Sequence, residues 1–453
     1  MVPADSIWRL SRESHPADPD QGWKLHISAT ILTANRVLST AAPELMGCGV
    51  LFKAPRSLAE LLKLNSGFPY GVSQVGKFMT VYPRGSDEAA DLASRLDALT
   101  RGIPGPCIPF ERPYRQGSRV FYRYGSFQAL QAKFGSEVLP ALRGPDGDLV
   151  PDVRTDPFFD PSWCPNPFPP RSTSERPKSH FGSRYLAYEP IMQRGKGGVY
   201  KALDMAETPL RRCIVKEGRC QGETWWDGRD GKALMLAESH ALEELADAGV
   251  NVPKIIEMFE EQRNLYLVLE HLGERTVEDL LRDAVTLPVE AAIGLAATVA
   301  ECVAEVHEAG WAWRDIKPRN VMIDDSGVLH PIDFEGACRS DARNLPPWGS
   351  EGYVAPEWLD PMADHVEADL FALGVTCYQI LAGARSFGLT VGHVREVPIG
   401  RRRHGIPEDV RRLVSSLLGS DPDLRPSART AAEVLSPFKA PADRLTATLS
   451  TGE

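Results

Sequence analysis

Between Pro145 and Pro177 the chain carries nine prolines. Proline lacks an amide hydrogen, fixes its own φ and pushes the preceding residue out of the helical region. Neither a regular helix nor a central strand can cross such a stretch. The 453 residues must therefore fold as separate bodies on either side of it. Phe158, Phe159, Trp163 and Phe168 give the stretch enough apolar surface to dock on a neighbour, unlike a disordered linker. The expected division is a domain over 1–142, a connector over 143–183, a larger domain over 184–440 and a tail over 441–453.

The rest of the composition mainly excludes. Hydrophobic residues make up 43% and charged residues 25%, the balance of folded globular protein. A net charge of −10 argues against a nucleic-acid partner. The eight cysteines are scattered with no C-x-x-C pair, so neither a zinc ribbon nor a disulfide framework is expected. The N-terminal MVPADSIWRLSRESHPADPDQ is too polar for a secretory signal. No uncharged apolar run reaches the roughly 20 residues that span a bilayer. These readings set a cytoplasmic expectation with no membrane partner.

The second domain carries its chemistry in WAWRDIKPRNVMIDDSGVLHPIDFEG, residues 311–336. Val321 to Ile323 reads as a strand, Asp325-Ser326-Gly327 as a turn and Val328 to Ile332 as the returning strand. A hairpin of that register sets Asn320 beside Asp333, with Asp315 on the entering loop. Oxygen-bearing side chains gathered in this way suit Mg²⁺ and substrate phosphates. The spacing R-D-x-K-x-x-N followed by D-F resembles the catalytic and metal loops of protein kinases. The resemblance runs over 184–437. It implies Asp315 as the base for a substrate hydroxyl, Lys317 as the contact to the transferred phosphoryl group, and Asn320 and Asp333 as metal ligands. Two residues depart from the pattern. Trp313 stands where His is usual, a loss expected to touch packing and not chemistry. Glu335 stands where Gly is usual, which removes a flexible hinge.

The nucleotide end agrees. Gly195-Lys196-Gly197-Gly198 is a glycine-rich turn, and glycine lets backbone approach phosphates. Ile214-Val215-Lys216 resembles the kinase strand whose Lys holds the α/β-phosphates. Leu234, Glu238, Leu242 and Leu245 recur at helical spacing, which puts Glu238 on an apolar face in need of a cation. Lys216 fills that need in the kinase reading; a helix-edge Glu reaching solvent is the alternative. Leu265 to Glu270 reads as a strand leading into a base-binding hinge at Glu270 to Leu272. Ala355-Pro356-Glu357 matches the end of an activation segment, Asp369 opens a buried helix, and Arg425 is expected to pair with Glu357. The implied cofactors are Mg²⁺ and ATP, GTP or another nucleoside triphosphate.

The first domain keeps placing cations and tyrosines in strand-like segments. Along Trp23 to Ala29 the alternation puts Lys24, His26 and Ser28 on one face and Leu25, Ile27 and Ala29 on the other. Lys53 and Arg56, Lys77 and Tyr82, then Arg119, Tyr122, Arg123 and Tyr124 follow. Converging cations bind phosphate. Phosphate elimination from phosphoserine needs a base, an enolate stabiliser and an acid, roles that Lys53, Lys24 and His26 could fill in that order. On spacing alone, a cationic sheet that only anchors an acidic peptide is the simpler reading.

K-x-H-I-S with a Lys 27 residues after the His resembles the phosphothreonine lyases of bacterial effectors. GWKLHISAT, LFKAPRSLAELLKLNSG, GKFMTVYP and GSRVFYRYGSF together resemble the lyase domain of class III lanthipeptide synthetases of the labyrinthopeptin type. The kinase-like part is similar to the same family's central domain. The resemblance implies an α+β chain, a phosphothreonine-lyase-like domain followed by a bilobal protein-kinase-like domain. It implies a bifunctional dehydratase that phosphorylates Ser/Thr of a ribosomally made precursor peptide with a leader, then eliminates phosphate to dehydroalanine or dehydrobutyrine. Lys24, His26 and Lys53 would be catalytic; Arg56, Arg119, Tyr122 and Arg123 would hold the substrate phosphate. Family members carry a further cyclase domain that the sequence does not show. A separate cyclase, a truncated chain or a linear product are the readings left open. A signalling Ser/Thr kinase with a phosphopeptide-binding first domain, and a nucleotide-regulated scaffold that recruits a cyclase, are the competing functions. The tandem scheme requires His26 and Lys53 to point to the same face and not to be buried without an opening for a substrate.

Overall fold

The computed structural model describes residues 6–128, 130–152, 160–169, 180–283, 287–383 and 397–438. Phe158, Phe159 and the 441–453 tail lie outside the described residues. Backbone contacts group the chain into two compact units. The first is Met1–Arg211 with Val215–Ala233 and Phe259–Tyr266; the second is Arg212–Ile214 with Leu234–Met258 and Leu267–Glu453. Both mix helix and strand, as the α+β expectation requires.

In the first unit, β1 (Trp8–Leu10), β2 (Gln21–Ser28), β3 (Leu51–Pro55), β4 (Lys77–Tyr82), β5 (Arg112–Pro113) and β6 (Val120–Ser126) form a sheet of order β1-β3-β4-β2-β6-β5. The alternation read along β2 decides its two faces. Trp23, Leu25 and Ile27 join Phe52, Val81 and Tyr122 in a core covered by α1 (Ala34–Gly47) and α3 (Ser86–Leu99), through Val37, Ala41, Leu45, Leu92 and Leu96. Each large side chain buried there contributes about 1.5–3 kcal/mol. The opposite face carries the polar set. Lys53 pairs with Thr80, Thr80 with His26, and His26 with Phe121. Residues directly opposed in antiparallel strands share a face, so Lys53 and His26 do so. Between β3 and β4 lies α2 (Leu58–Ser66), capped by the Ser57 side chain accepting from the Glu60 amide and closed by Gly67 at φ 72°.

Of the four aromatics in the proline-rich stretch, Trp163 and Phe168 are described and pack on the first sheet's core. Phe168 is buried, stacks on Tyr122 with ring centroids 3.8 Å apart and meets Trp23 edge-on at 5.4 Å. Its proline-bearing β9 (Leu149–Pro151) lies at the edge of a sheet of order β7-β8-β9, with β7 at Gln131–Phe134 and β8 at Glu137–Arg143. An edge is where a missing amide donor is tolerated. A further sheet runs β10 (His180–Phe181), β11 (Tyr185–Gln193), β12 (Gly198–Asp204), β13 (Arg211–Gly218), β15 (Asn264–Glu270), β14 (Ile255–Glu261). The glycine-rich turn joins β11 to β12.

The second unit is mainly helical. It contains α4 (Gly231–Asp247, from Leu234 on), α5 (Val277–Asp283) behind the short β16 (Arg275–Thr276), α6 (Val289–Glu308) and α7 (His365–Ala382). Strands β17 (Trp311–Ala312) and β20 (Cys338–Arg339) pair, and β18 (Val321–Ile323) pairs with β19 (Leu329–Pro331). α7 is buried nearly all round, which identifies it as a core helix. It begins earlier than Asp369. Asp364 caps it by accepting from the Val366 and Glu367 amides, and Asp369 sits inside it, 1% exposed. A buried carboxylate needs donors, and that need explains Asp369, described next.

Candidate active sites

The loop between β17 and β18 is fixed from below by Asp369. Its carboxylate accepts from the Trp313 amide at 2.6 Å and the Arg314 amide at 2.8 Å. This holds Arg314 at φ 67°, a backbone state that costs a non-glycine residue and persists only when its surroundings enforce it. Trp313 is fully buried, stacks on Phe334 at 5.4 Å and donates its indole N–H to Ile332 O at 3.1 Å. The expected loss of packing at this departure does not occur. The larger ring fills the space and reaches Ile332, between the end of β19 and Asp333.

On that base the polar residues converge. Lys317 Nζ donates to Asp315 Oδ2 at 2.6 Å and to Ser350 Oγ at 2.7 Å. Ser350 Oγ donates to Asp315 Oδ1 at 2.7 Å. Asn320 Nδ2 donates to Asp315 Oδ2 and to its carbonyl, both at 2.9 Å. The Ile332 amide donates to Asn320 O at 2.9 Å, so the hairpin does bring Asn320 beside Asp333. Asp333 is held at φ 66°. With the Asn320 nitrogen committed to Asp315, its amide oxygen and the Asp333 carboxylate are the hard oxygen donors that fit Mg²⁺. Ser350 was not assigned a role from sequence. Its hydroxyl is hydrogen-bonded to the carboxylate of Asp315.

The surrounding residues fall into place within their own units. Glu238 is 1% exposed and accepts from the Phe334 amide at 3.3 Å, so the solvent-facing alternative is excluded. Glu335 is buried. The glycine appears one place later, and a Cβ on Gly336 would lie 1.9 Å from Trp348. Glu270 accepts from the Lys254 amide at 2.8 Å, with half-buried Leu272 two residues on. Arg425 pairs with Glu357. In the first unit, Lys216 is buried on β13. The glycine-rich turn has a packing reason that the sequence did not show. A Cβ on Gly195 would fall 1.6 Å from Asn65 O, and one on Gly197 would fall 1.6 Å from Glu217 O. Gly198 opens β12, where an added Cβ would collide with the Tyr200 hydroxyl.

The polar face of the first sheet forms a second cluster. Lys24 Nζ and Lys53 Nζ lie 5.9 and 6.0 Å from the Tyr82 ring centroid, and Lys53 Nζ also lies over Trp8 at 4.3 Å. His26 is 4% exposed. Its Nδ1 is 2.6 Å from Glu111 Oε2, and Lys77 Nζ is 2.7 Å from Glu111 Oε1. Burial, with Lys77 and Lys24 nearby, pulls the His26 imidazole down to about 4, against the pull of Glu111. Burial alone would raise the Glu111 carboxyl, but His26 and Lys77 together hold it below its ordinary value. The arrangement is an anion held by a neighbouring ammonium, with a neutral imidazole on its other oxygen.

Not every expected phosphate ligand reaches this face. Tyr122 does not: it belongs to the apolar face, packed on Phe168 and Trp23, because it alternates with Phe121 and Arg123 along β6. Arg119 is buried and donates to the Gly105 and Gly117 carbonyls. Arg123 is half-buried and pairs with Asp152. Arg56 is exposed just after β3. Glu111 was missed altogether. Its only signal was a carboxylate in the apolar, proline-rich loop CIPFERP.

Comparison with known proteins agrees with this geometry. The model of the RamC N-terminal domain matches residues 2–180, and that of the protein kinase domain matches residues 194–435. A probable SapB synthase of Streptomyces coelicolor is 30% identical over 390 residues, covering 83% of this chain and 41% of that protein. A probable serine/threonine-protein kinase of Clostridium perfringens is 25% identical, over 56% of this chain and 38% of its own length. The serine/threonine-protein kinase PkaB of Streptomyces coelicolor is 26% identical, over 54% and 60%. This chain thus spans less than two thirds of each of these relatives. Protein kinase domains in general use ATP and Mg²⁺. With both domain models matched in that order, the chain belongs to the protein kinase family and shares with the class III lanthipeptide synthetases it resembles a RamC-type domain ahead of the kinase.

Proposed function

We propose that this protein is a bifunctional dehydratase of a precursor peptide, phosphorylating Ser or Thr and then eliminating the phosphate. The kinase half rests on the family. The observation that supports the second half is the shared row of Lys53, Thr80 and His26, with Lys24 on the same face beside Tyr82.

In the first step a peptide hydroxyl takes the place that Ser350 models, hydrogen-bonded to Asp315, which orients it and accepts its proton as phosphoryl transfer proceeds. Lys317 stands next to Asp315 and contacts the group in transit. Asn320 and Asp333 would hold Mg²⁺, which supplies charge neutralisation for the nucleotide phosphates. In the kinase reading, Lys216 and the turn at Gly195, Gly197 and Gly198 in the first unit are nucleotide-binding residues, as are Glu238 and Glu270 to Leu272 in the second. In the second step the neutral amine of Lys53 removes the Cα proton, Lys24 stabilises the enolate oxygen and His26 protonates the departing phosphate. Arg56, Arg119 and Arg123 remain the arginines that the resemblance implies as phosphate ligands, two of them engaged elsewhere in this structure: Arg119 with Gly105 and Gly117, Arg123 with Asp152. A tethered second site raises the effective concentration of phosphopeptide. A leader-bearing precursor as substrate, and a separate cyclase acting on the product, complete the reading.

The competing function is a Ser/Thr kinase whose first domain only binds phosphopeptides, and the burial of His26 favours it. Mass spectrometry of a Ser/Thr-rich precursor peptide incubated with the protein, ATP and Mg²⁺ separates the two. The dehydratase gives a net loss of one water per modified residue, whereas the kinase alone leaves a stable phosphate gain. Lys53→Ala and His26→Ala should accumulate phosphopeptide, and Asp315→Ala should leave the peptide unmodified. Normal dehydration by Lys53→Ala would remove Lys53 as the base.

A further inference from the structure

Glu111 lies 85 residues from His26 in sequence and is buried, with its side chain 1% exposed. It comes from the loop between α3 and β5, outside the strands that carry the cationic face. Both its oxygens are engaged by members of that face: Oε2 by His26 Nδ1 at 2.6 Å and Oε1 by Lys77 Nζ at 2.7 Å. Burying a carboxylate is costly unless it is paired. A structural pairing needs Lys77 alone; the contact to the imidazole serves the imidazole. We propose that Glu111 is the positioning residue of the elimination half-reaction, fixing the His26 tautomer with the proton on Nδ1 and supporting the imidazolium that transfers a proton from Nε2 to the leaving phosphate. The inference rests on the dehydratase reading above.

The tautomer follows from the acceptor. An ionised carboxylate can only accept, so Nδ1 carries the hydrogen and Nε2 is the reactive nitrogen. In the resting protein the imidazole is neutral, since burial and the surrounding cations disfavour a further charge. Entry of a phosphate dianion reverses that balance, and Nε2 takes up a proton from solvent. In the elimination the Cα–H bond breaks and its proton goes to Lys53. Its electron pair forms the new alkene, the Cβ–O bond breaks with its electrons on the phosphate, and Nε2 gives its proton to that oxygen. His26 returns to the neutral Nδ1–H form on Glu111. The charged groups that act on the imidazole are Lys24 on its own strand, Lys77 at the start of β4 and Glu111; Lys53 on β3 and Arg123 on β6, the latter paired with Asp152, lie on the same face of the sheet. Glu111 is the anion in contact with the imidazole, so its removal has a definite sign.

The test uses the full chain and a synthetic phosphothreonine peptide, with phosphate release followed across pH. Glu111→Gln keeps the shape and removes the charge. The elimination rate is expected to fall by roughly 10²–10³-fold, within the range for loss of general-acid assistance, and the alkaline limb of the profile is expected to move to lower pH. Glu111→Asp restores the charge and should restore the position of that limb, though not the full rate. Lys77→Met acts in the opposite direction, leaving the Glu111 charge to act on His26 alone, so the limb moves to higher pH. This variant also serves if Glu111→Gln fails to fold. A purely structural role for Glu111 predicts lower yield or melting temperature with an unmoved limb, and that result in both variants overturns the inference. If wild-type protein releases no phosphate, the dehydratase reading fails first. If His26→Ala abolishes release while Glu111→Gln matches wild type, the dehydratase stands and the positioning role falls.

Discussion

A histidine held near 4 inside a fold is a store of acid sensitivity. His26 titrates near 6.5 when the chain is unfolded and near 4 when folded. Between those values the unfolded chain binds more protons than the folded one, so stability falls as pH drops through that window. Glu111, held below its ordinary value, adds a loss of the same sign at lower pH. A shift of that size corresponds to on the order of 3 kcal/mol for His26. The melting temperature should therefore be flat above pH 6.5 and decline steadily towards pH 4. His26→Asn removes the titrating group and should flatten that decline, which differential scanning calorimetry in matched buffers would read. An equally steep decline in His26→Asn would place the acid-sensitive group elsewhere. The strand holding His26 was legible because period two needs only neighbours. Glu111 was not, because its contact is made by a loop 85 residues away, which no local pattern encodes.

At the level of elements, the segment from β17 to β19 shows why a kinase loop can be read from spacing. Asp315, Lys317 and Asn320 are brought together by one turn and one hairpin, so their geometry is nearly all local. What the spacing could not supply was the support. Asp369 arrives from α7 to hold the Trp313 and Arg314 amides, and it was read as the start of that helix because the Asp364 cap preceding it was not recognised. Trp313 is likewise a supporting element, its indole N–H on Ile332 O at 3.1 Å, one residue before Asp333. Trp313→Phe keeps the stacking on Phe334 but leaves that buried carbonyl without its donor, a loss of about 1–3 kcal/mol. The variant should melt lower and phosphorylate more slowly, because the strand leading to Asp333 loses its anchor. A phosphorylation assay with unchanged rate and melting temperature would show that the indole only fills space.

At the level of the whole molecule, the same unit contains the N-terminal sheet and the glycine-rich turn of the kinase domain, and the contact between them is made by backbone. The Gly195 amide donates to Ser66 O at 2.9 Å, and the Arg194 guanidinium lies over Phe68 at 4.3 Å. Ser66 ends α2, and Asn65 beside it ties that end to the strands of the polar face. Its Nδ2 donates to Ala29 O at 3.0 Å, just past β2, and its Oδ1 accepts from the Gly76 amide at 3.1 Å, just before β4. A short path thus runs from the turn that would cradle a nucleotide to the strands that hold His26 and Lys77. Gly195→Ala interrupts it, because the new carbon would sit 1.6 Å from Asn65 O. Overpacking of this kind costs about 1–3 kcal/mol, and relief requires the turn and the end of α2 to part. Two consequences should appear together. The KM for ATP should rise by about tenfold, the equivalent of about 1.4 kcal/mol, as the turn loses its support. Phosphate release from a supplied phosphothreonine peptide should also slow, although residue 195 lies outside the polar face. Hydrogen exchange at Leu64–Gly67 reports the separation directly and should be faster in the variant. If exchange quickens and only the KM changes, the two sites share a scaffold without energetic coupling. If neither changes, the fit of Gly195 against α2 is incidental to both reactions.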